Sequence, residues 1–148
     1  MNNFLAPEIP TIQRLQQEVS ELKRVCSASA WSAYQDIGPM LPAAIVRQVP
    51  RAQAGDSDPG DAAAQWVRQY WEVCVAVPHQ EDVIGGDFET SAKQAGELLY
   101  KIARALIGWR PAEGWQKFAF YDQDGAYYEP GYGEFPALFQ TGFLITGS

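Results

Sequence analysis

Apolar residues near the start of the chain recur at spacings of three and four: Ile12, Leu15, Val19, Leu22 and Val25. That period puts one hydrophobic stripe along a helix and predicts α-helix over residues 11–25, with Thr11 placed as its N-cap after Pro7 and Pro10. The opposite positions are polar: Gln13, Arg14, Gln17, Glu18, Glu21 and Lys23. Arg14 and Glu18 are spaced to pair weakly across one turn, whereas Glu21 and Lys23 do not face each other. Residues 31–40 are ambiguous, because Trp31 and Tyr34 share a helical spacing but Gly38 and Pro39 break the chain soon after.

The pattern then changes to a period of two. Ala43–Val49 predicts a strand built on Ile45, Val46 and Val49, and Pro50 is expected to end it for want of an N–H. The polar stretch 51–63 predicts a loop, and Gln65–Val77 predicts a long strand pairing back as a hairpin. One face of that strand carries Val67, Gln69, Trp71, Val73, Val75 and Val77 and is expected to be buried. The other carries Trp66, Arg68, Tyr70, Glu72, Cys74 and Ala76, a mixed face suited to a subunit contact or to a second apolar layer within the subunit.

A second helix is predicted over 87–107, with Ala92, Ala95, Leu99, Ile102, Ala103 and Leu106 inward, and Leu98 and Tyr100 at the margins. Gly108 is placed as its C′ residue, and Pro111 prevents continuation. The last third predicts short strands, Lys117–Tyr121 and Ala126–Glu129, on either side of an Asp122-Gln123-Asp124-Gly125 turn. A final strand is expected over Ala137–Thr146, with Phe139, Thr141, Phe143 and Ile145 on one side. The fold class that hides both helical stripes is α+β: a mixed, largely antiparallel β-sheet packed against two main helices, in a single domain over residues 1–148.

Composition narrows the function. The formal charge of −7 argues against a surface that grips nucleic-acid phosphates, though not against DNA passing without being held. Residues 111–148 carry one cation, Lys117, against five acids, Glu113, Asp122, Asp124, Glu129 and Glu134. Five Trp, seven Tyr and seven Phe exceed what one small core readily hides, and such rings favour protein interfaces. Cys26 and Cys74 read as small core residues rather than a disulfide scaffold. No secretion signal and no bilayer-length apolar run is expected.

Candidate chemistry is sparse. His79 is the single histidine and is expected in an exposed turn after the long strand. Without a histidine pair or closely spaced cysteines there is no common zinc pattern. Asp56, Asp58 and Asp61 do not complete a calcium loop, because Gly60 and Val67 stand where oxygen ligands are needed. Gly85-Gly86-Asp87 lacks a phosphate-binding pattern, and Ser20 and Ser91 have no nucleophile-elbow context. The chain is therefore expected to be a non-enzyme with no cofactor and no metal.

These elements together resemble the tail terminator (tail completion) proteins of long-tailed bacteriophages. The resemblance rests on the early amphipathic helix, the strand around Leu41-Pro42-Ala43-Ala44-Ile45-Val46, the hairpin ending Trp71-Glu72-Val73-Cys74-Val75-Ala76-Val77, the helix end Ala105-Leu106-Ile107-Gly108-Trp109-Arg110-Pro111, and an aromatic terminal strand. It implies a virion protein assembled in the host cytoplasm. There it would form a ring, usually a hexamer, that caps the completed tail tube, stops polymerisation of tube or sheath, and offers a surface to the head or neck. Implied partners are copies of the chain, the tail tube protein, the sheath terminus and a neck or connector protein, with DNA passing through the lumen. Trp66, Arg68, Tyr70 and Glu72 are the candidates for the subunit interface. Arg51, Asp56, Asp58 and Asp61 are the candidates for tube or neck contact. A head–tail joining or neck protein, a small acidic binding module, and a hydrolase with a carboxylate pair are the competing readings.

Overall fold

A computed structural model describes residues 3–54, 64–79 and 87–147. Its elements in chain order are α1 (Glu8–Glu18), β1 (Arg24–Ser27), α2 (Ala28–Ala33), a 3₁₀ turn (Gly38–Met40), β2 (Ala43–Ala54), β3 (Ala64–Pro78), α3 (Asp87–Leu106), β4 (Ala119–Gln123), β5 (Tyr127–Glu129) and β6 (Tyr132–Thr146). The sheet runs β1-β2-β3-β6-β4, with β5 also on β6. Among the described residues only the β1–β2 pair is parallel, so the α+β reading with a largely antiparallel sheet holds.

The first helix starts earlier and stops sooner than its periodicity predicts. Pro7 is the N-cap, and Pro10 occupies the third helical position, where no intrahelical N–H bond is required. Thr11 is thus inside the helix: its N–H makes the first bond, to the Pro7 carbonyl at 3.1 Å. After Val19 the chain turns, and the Lys23 N–H bonds the Pro42 carbonyl at 2.8 Å, delivering residues 24–27 to the sheet as β1. Leu22 and Val25 still reach the core, because a turn followed by a strand satisfies the same spacing as one more helical turn.

Both long helices cover one sheet face. Leu15 from α1, Val19 at its C-cap, and Ala95, Leu98, Ile102, Ala105 and Leu106 from α3 pack on Val46, Trp71, Val73, Val75, Val77, Ala137 and Phe139. The inward stripe of α3 is rotated from the expected one: Leu98 and Ala105 are buried, while Ala92 is exposed. Gly108 at φ 80° takes the left-handed C′ role, and its N–H bonds the Phe118 carbonyl. The polar Gln69 in the buried row has a partner at each end of its amide. Its amide nitrogen donates to the Phe4 carbonyl at 2.9 Å, and its oxygen accepts from the Trp71 indole at 3.1 Å.

Three sheet expectations are corrected. Pro50 does not end β2. The strand continues to Ala54 through a register shift between Gln48 and Ala52, and a bulge is a place where a missing N–H is tolerated. β4 and β5 do not form a hairpin with each other. Both lie along the same edge of β6, and the tight turn is Pro130-Gly131 between β5 and β6, with Gly131 at φ 86°. β6 itself begins at Tyr132, ahead of the expected Ala137. Pro136 falls in the interval between β4 and β5, so β6 passes through it.

Candidate functional site

On the second sheet face α2 covers one end only. The Ser27 hydroxyl caps α2 by accepting the Ala30 N–H at 3.1 Å, which holds Trp31 over a small cluster of Cys26, Ala43, Ile45, Cys74 and Ala76. Beyond α2 this face carries charged and aromatic residues. Arg47 and Glu72, directly opposite on β2 and β3, form a two-point ion pair at 2.9 and 3.1 Å. Next along β3, Tyr70 packs its ring 4.4 Å from that of Tyr121 on β4. Farther out Trp66, 37% exposed, stands opposite Leu144, 44% exposed.

The four residues singled out for a subunit interface therefore differ in situation. Trp66 is open and Arg68 half-buried, whereas Tyr70 and Glu72 are buried and have partners within the chain. Arg51 lies in β2, but its side chain is outside the described residues, as are Asp56, Asp58 and Asp61 altogether. The β4–β5 edge presents Phe120, Tyr121, Tyr127 and Tyr128, each at least half exposed. A second apolar surface sits where the N-terminal segment meets β6: Phe4 packs edge-on to Phe143 at 4.9 Å, with Leu5 and Ile145 exposed nearby.

Between α2 and the β4–β5 edge is a cavity of about 270 Å³, lined among others by Trp31, Arg47, Glu72, Cys74, Tyr127 and Glu134. Burial is the main cause that pushes the Glu134 carboxyl above the usual range. Repulsion from Glu129 and Glu72 adds to the shift, while Arg47 and a hydrogen bond from Trp31 oppose it. The Cys74 thiol is also pushed up, chiefly by burial and then by Glu134 and Glu72, which makes it a poor nucleophile. Tyr132 is raised by the same combination of burial and neighbouring Glu134 and Glu129.

Sequence reasoning missed Glu134, Trp31 and Arg47. Arg47 stands two positions from Ile45 in a strand and could have been found by alternation. Glu134 could not, because its strand was begun too late. His79 is not an exposed turn residue. It is 6% exposed, with its ring 4.8 Å from that of Tyr128, because the β5–β6 turn folds back so that the Gly131 carbonyl accepts its N–H at 3.0 Å. Among the described residues no group of three His, Cys, Asp or Glu could hold a metal ion, and no helix is long and apolar enough to cross a membrane.

Three comparisons bear on this surface. The family model described as phage tail terminator protein matches residues 1–148. Among solved structures, a chain of the "Virion of native gene transfer agent (GTA) particle" is similar with a TM-score of 0.60 at 14% identity, covering 97% of this chain and 99% of that one. At that identity the likeness shows a common fold. No curated protein matches the chain.

Proposed function

Because the chain belongs to the phage tail terminator family, a family of virion structural proteins, we propose that it forms a ring that caps the completed tail tube. The ring stops polymerisation of the tube and offers its other face to the head or neck. The family match over the whole chain carries this reading. The surface supports it: one sheet face is only partly covered, the β4–β5 edge is lined with exposed rings, and the charge is −7. A cap needs a heterologous contact that closes on itself and two unlike axial faces, which a domain with one helix-covered and one open sheet face can supply. Excess negative charge lets DNA pass the lumen without sticking.

In this arrangement six copies close the ring. Trp66 and Arg68, with Tyr70 and Glu72 behind them, border the neighbouring subunit. Arg51, Asp56, Asp58 and Asp61 lie toward the tube or neck. The axial partners are the tail tube protein, a sheath terminus where the tail has one, and a neck or connector protein, which places the ring at the head-proximal end of the tail after assembly in the host cytoplasm.

The test is to mix the purified chain with polymerising tail tube protein and image both by negative stain. Hollow rings alone, and rings seated at one tube end with growth halted there, are the expected result. A monomer at high concentration that leaves tube length unchanged overturns the proposal.

A further inference from the structure

The cleft beside α2 combines three kinds of lining: apolar Cys74 and Pro136, aromatic Trp31 and Tyr127, and the carboxylates Glu72, Asp124 and Glu134. Among the described residues of that lining Arg47 is the one cation, and both of its hydrogen bonds there go to the two oxygens of Glu72. Glu134, which accepts a hydrogen bond from Trp31, and Asp124 thus line the cavity without a cation of their own, beside rings whose faces attract positive charge. A space of about 270 Å³ admits a long side chain from outside.

We propose that this cleft is a socket for one arginine or lysine side chain presented by a separate, basic protein of the tail, with Glu134 as the carboxylate that receives it. The proposal rests on the reading of the chain as a tail assembly protein and adds the chemistry of its partner. The occupant follows from the lining itself: a basic segment relieves the repulsion among Glu72, Asp124 and Glu134 at the opening, which an acidic or apolar segment does not. Entry of the cation supplies the charge that Glu134 lacks while keeping the Arg47–Glu72 pair intact. The same carboxylate that is costly in the free chain becomes favourable in the complex.

The experiment follows the Trp31 indole N–H by NMR in the full chain, assigned with Trp31→Phe, during titration with three capped tripeptides. They are acetyl-Gly-Arg-Gly-amide, its lysine counterpart and its norleucine counterpart. The expected result is a saturable shift with arginine and lysine and none with norleucine, with affinity reduced by about tenfold in Glu134→Gln. Asp124→Asn serves as a second, exposed variant, and Glu113→Gln is expected to bind as the parent does. An equal response to norleucine, no response to any peptide, or unchanged affinity in both Glu134→Gln and Asp124→Asn overturns the socket. A change of oligomeric state in Glu134→Gln with the peptides silent overturns it in favour of a contact between copies. Rings that form and cap tubes while peptides fail to bind leave the proposed function standing without the socket. Peptide binding without rings does the reverse.

Discussion

Arg47 on β2 holds both carboxylate oxygens of Glu72, its directly opposite partner on β3, through Nε at 2.9 Å and Nη2 at 3.1 Å. The pair is unequal in its access to water: the Arg47 side chain is 52% exposed and that of Glu72 is 11% exposed. Removing one partner therefore does not cost the same as removing the other.

Arg47→Ala leaves a mostly buried carboxylate without its partner and is expected to destabilise the chain by about 1–2 kcal/mol. Glu72→Gln leaves a guanidinium that turns to water and is expected to cost under about 1 kcal/mol. Urea unfolding of both variants checks the order, and equal losses refute it.

Gly142 on β6 is pinned from two sides. A Cβ there would lie 2.6 Å from the Val67 carbonyl oxygen and 3.0 Å from the Gln116 side chain, and its own carbonyl accepts the Gln116 N–H at 2.8 Å. Backbone on the near side cannot give way as a side-chain tip could. Gly142→Ala is expected to lower stability by about 2–3 kcal/mol, read as a fall in melting temperature. A neutral substitution would mean that β3 and β6 are not so closely apposed.

Glu134 sets a dependence on pH with a definite sign. Its folded-state carboxyl is raised by burial first, then by Glu129 and Glu72, against the pull of Arg47 and the Trp31 hydrogen bond. A raised pKa means that the stability contributed by the protonated form is fully present below the ordinary glutamate value. It is lost as pH climbs through the folded one. Glu134→Gln, which is always neutral, should match the parent in acid and become the more stable of the two toward neutral pH. Thermal melts across that range test it, and a gap that widens in acid contradicts it.

Cys26 and Cys74 sit in one row across the sheet with Ile45 between them, since Cys26 pairs with Ile45 and Ile45 with Cys74. Two strand spacings separate their Cα atoms by roughly 9–10 Å, beyond the reach of about 4.4–6.8 Å that a disulfide bridges. Both are buried, and burial raises both thiols. A thiol reagent should react slowly with the native chain and titrate two free thiols after denaturation, without reductant. Fewer than two thiols would refute the placement.

Deleting residues 54–60 removes Asp56 and Asp58 together with Ala54, the last residue of β2, and leaves the rest of β2 and all of β3 in place. Circular dichroism and melting temperature are expected to stay close to the parent, and tube capping is expected to fall. Normal capping by the deletion variant would remove these acids from the tube or neck contact.

Where burial alone decides a structure, periodicity was enough. The row Val67, Gln69, Trp71, Val73, Val75 and Val77 is buried as its alternation requires, and Gly108 ends α3 in the left-handed conformation expected of it. Arg14 and Glu18 do pair, at 3.2 Å. Glu21 finds its partner in Lys101 on α3, a choice that no local spacing could indicate. Periodicity failed where two structures satisfy one spacing, as at Leu22 and Val25, and where proline was read as a stop although it occupies a bulge, as at Pro50.

The chain's own pattern of apolar and polar positions determined the α+β class, the long central strand and the helix covering it, because each of those follows from hiding one continuous apolar row. Its charge and lack of catalytic patterns likewise pointed to a binding surface. Only the tertiary structure decided which polar groups meet. Arg47, Glu72 and Glu134 come from three different strands, and Trp31 comes from a short helix that its spacing to Tyr34 left ambiguous. Their meeting depends on strand order and register, which are set by the summed packing of the whole sheet and not by any residue's neighbours in sequence.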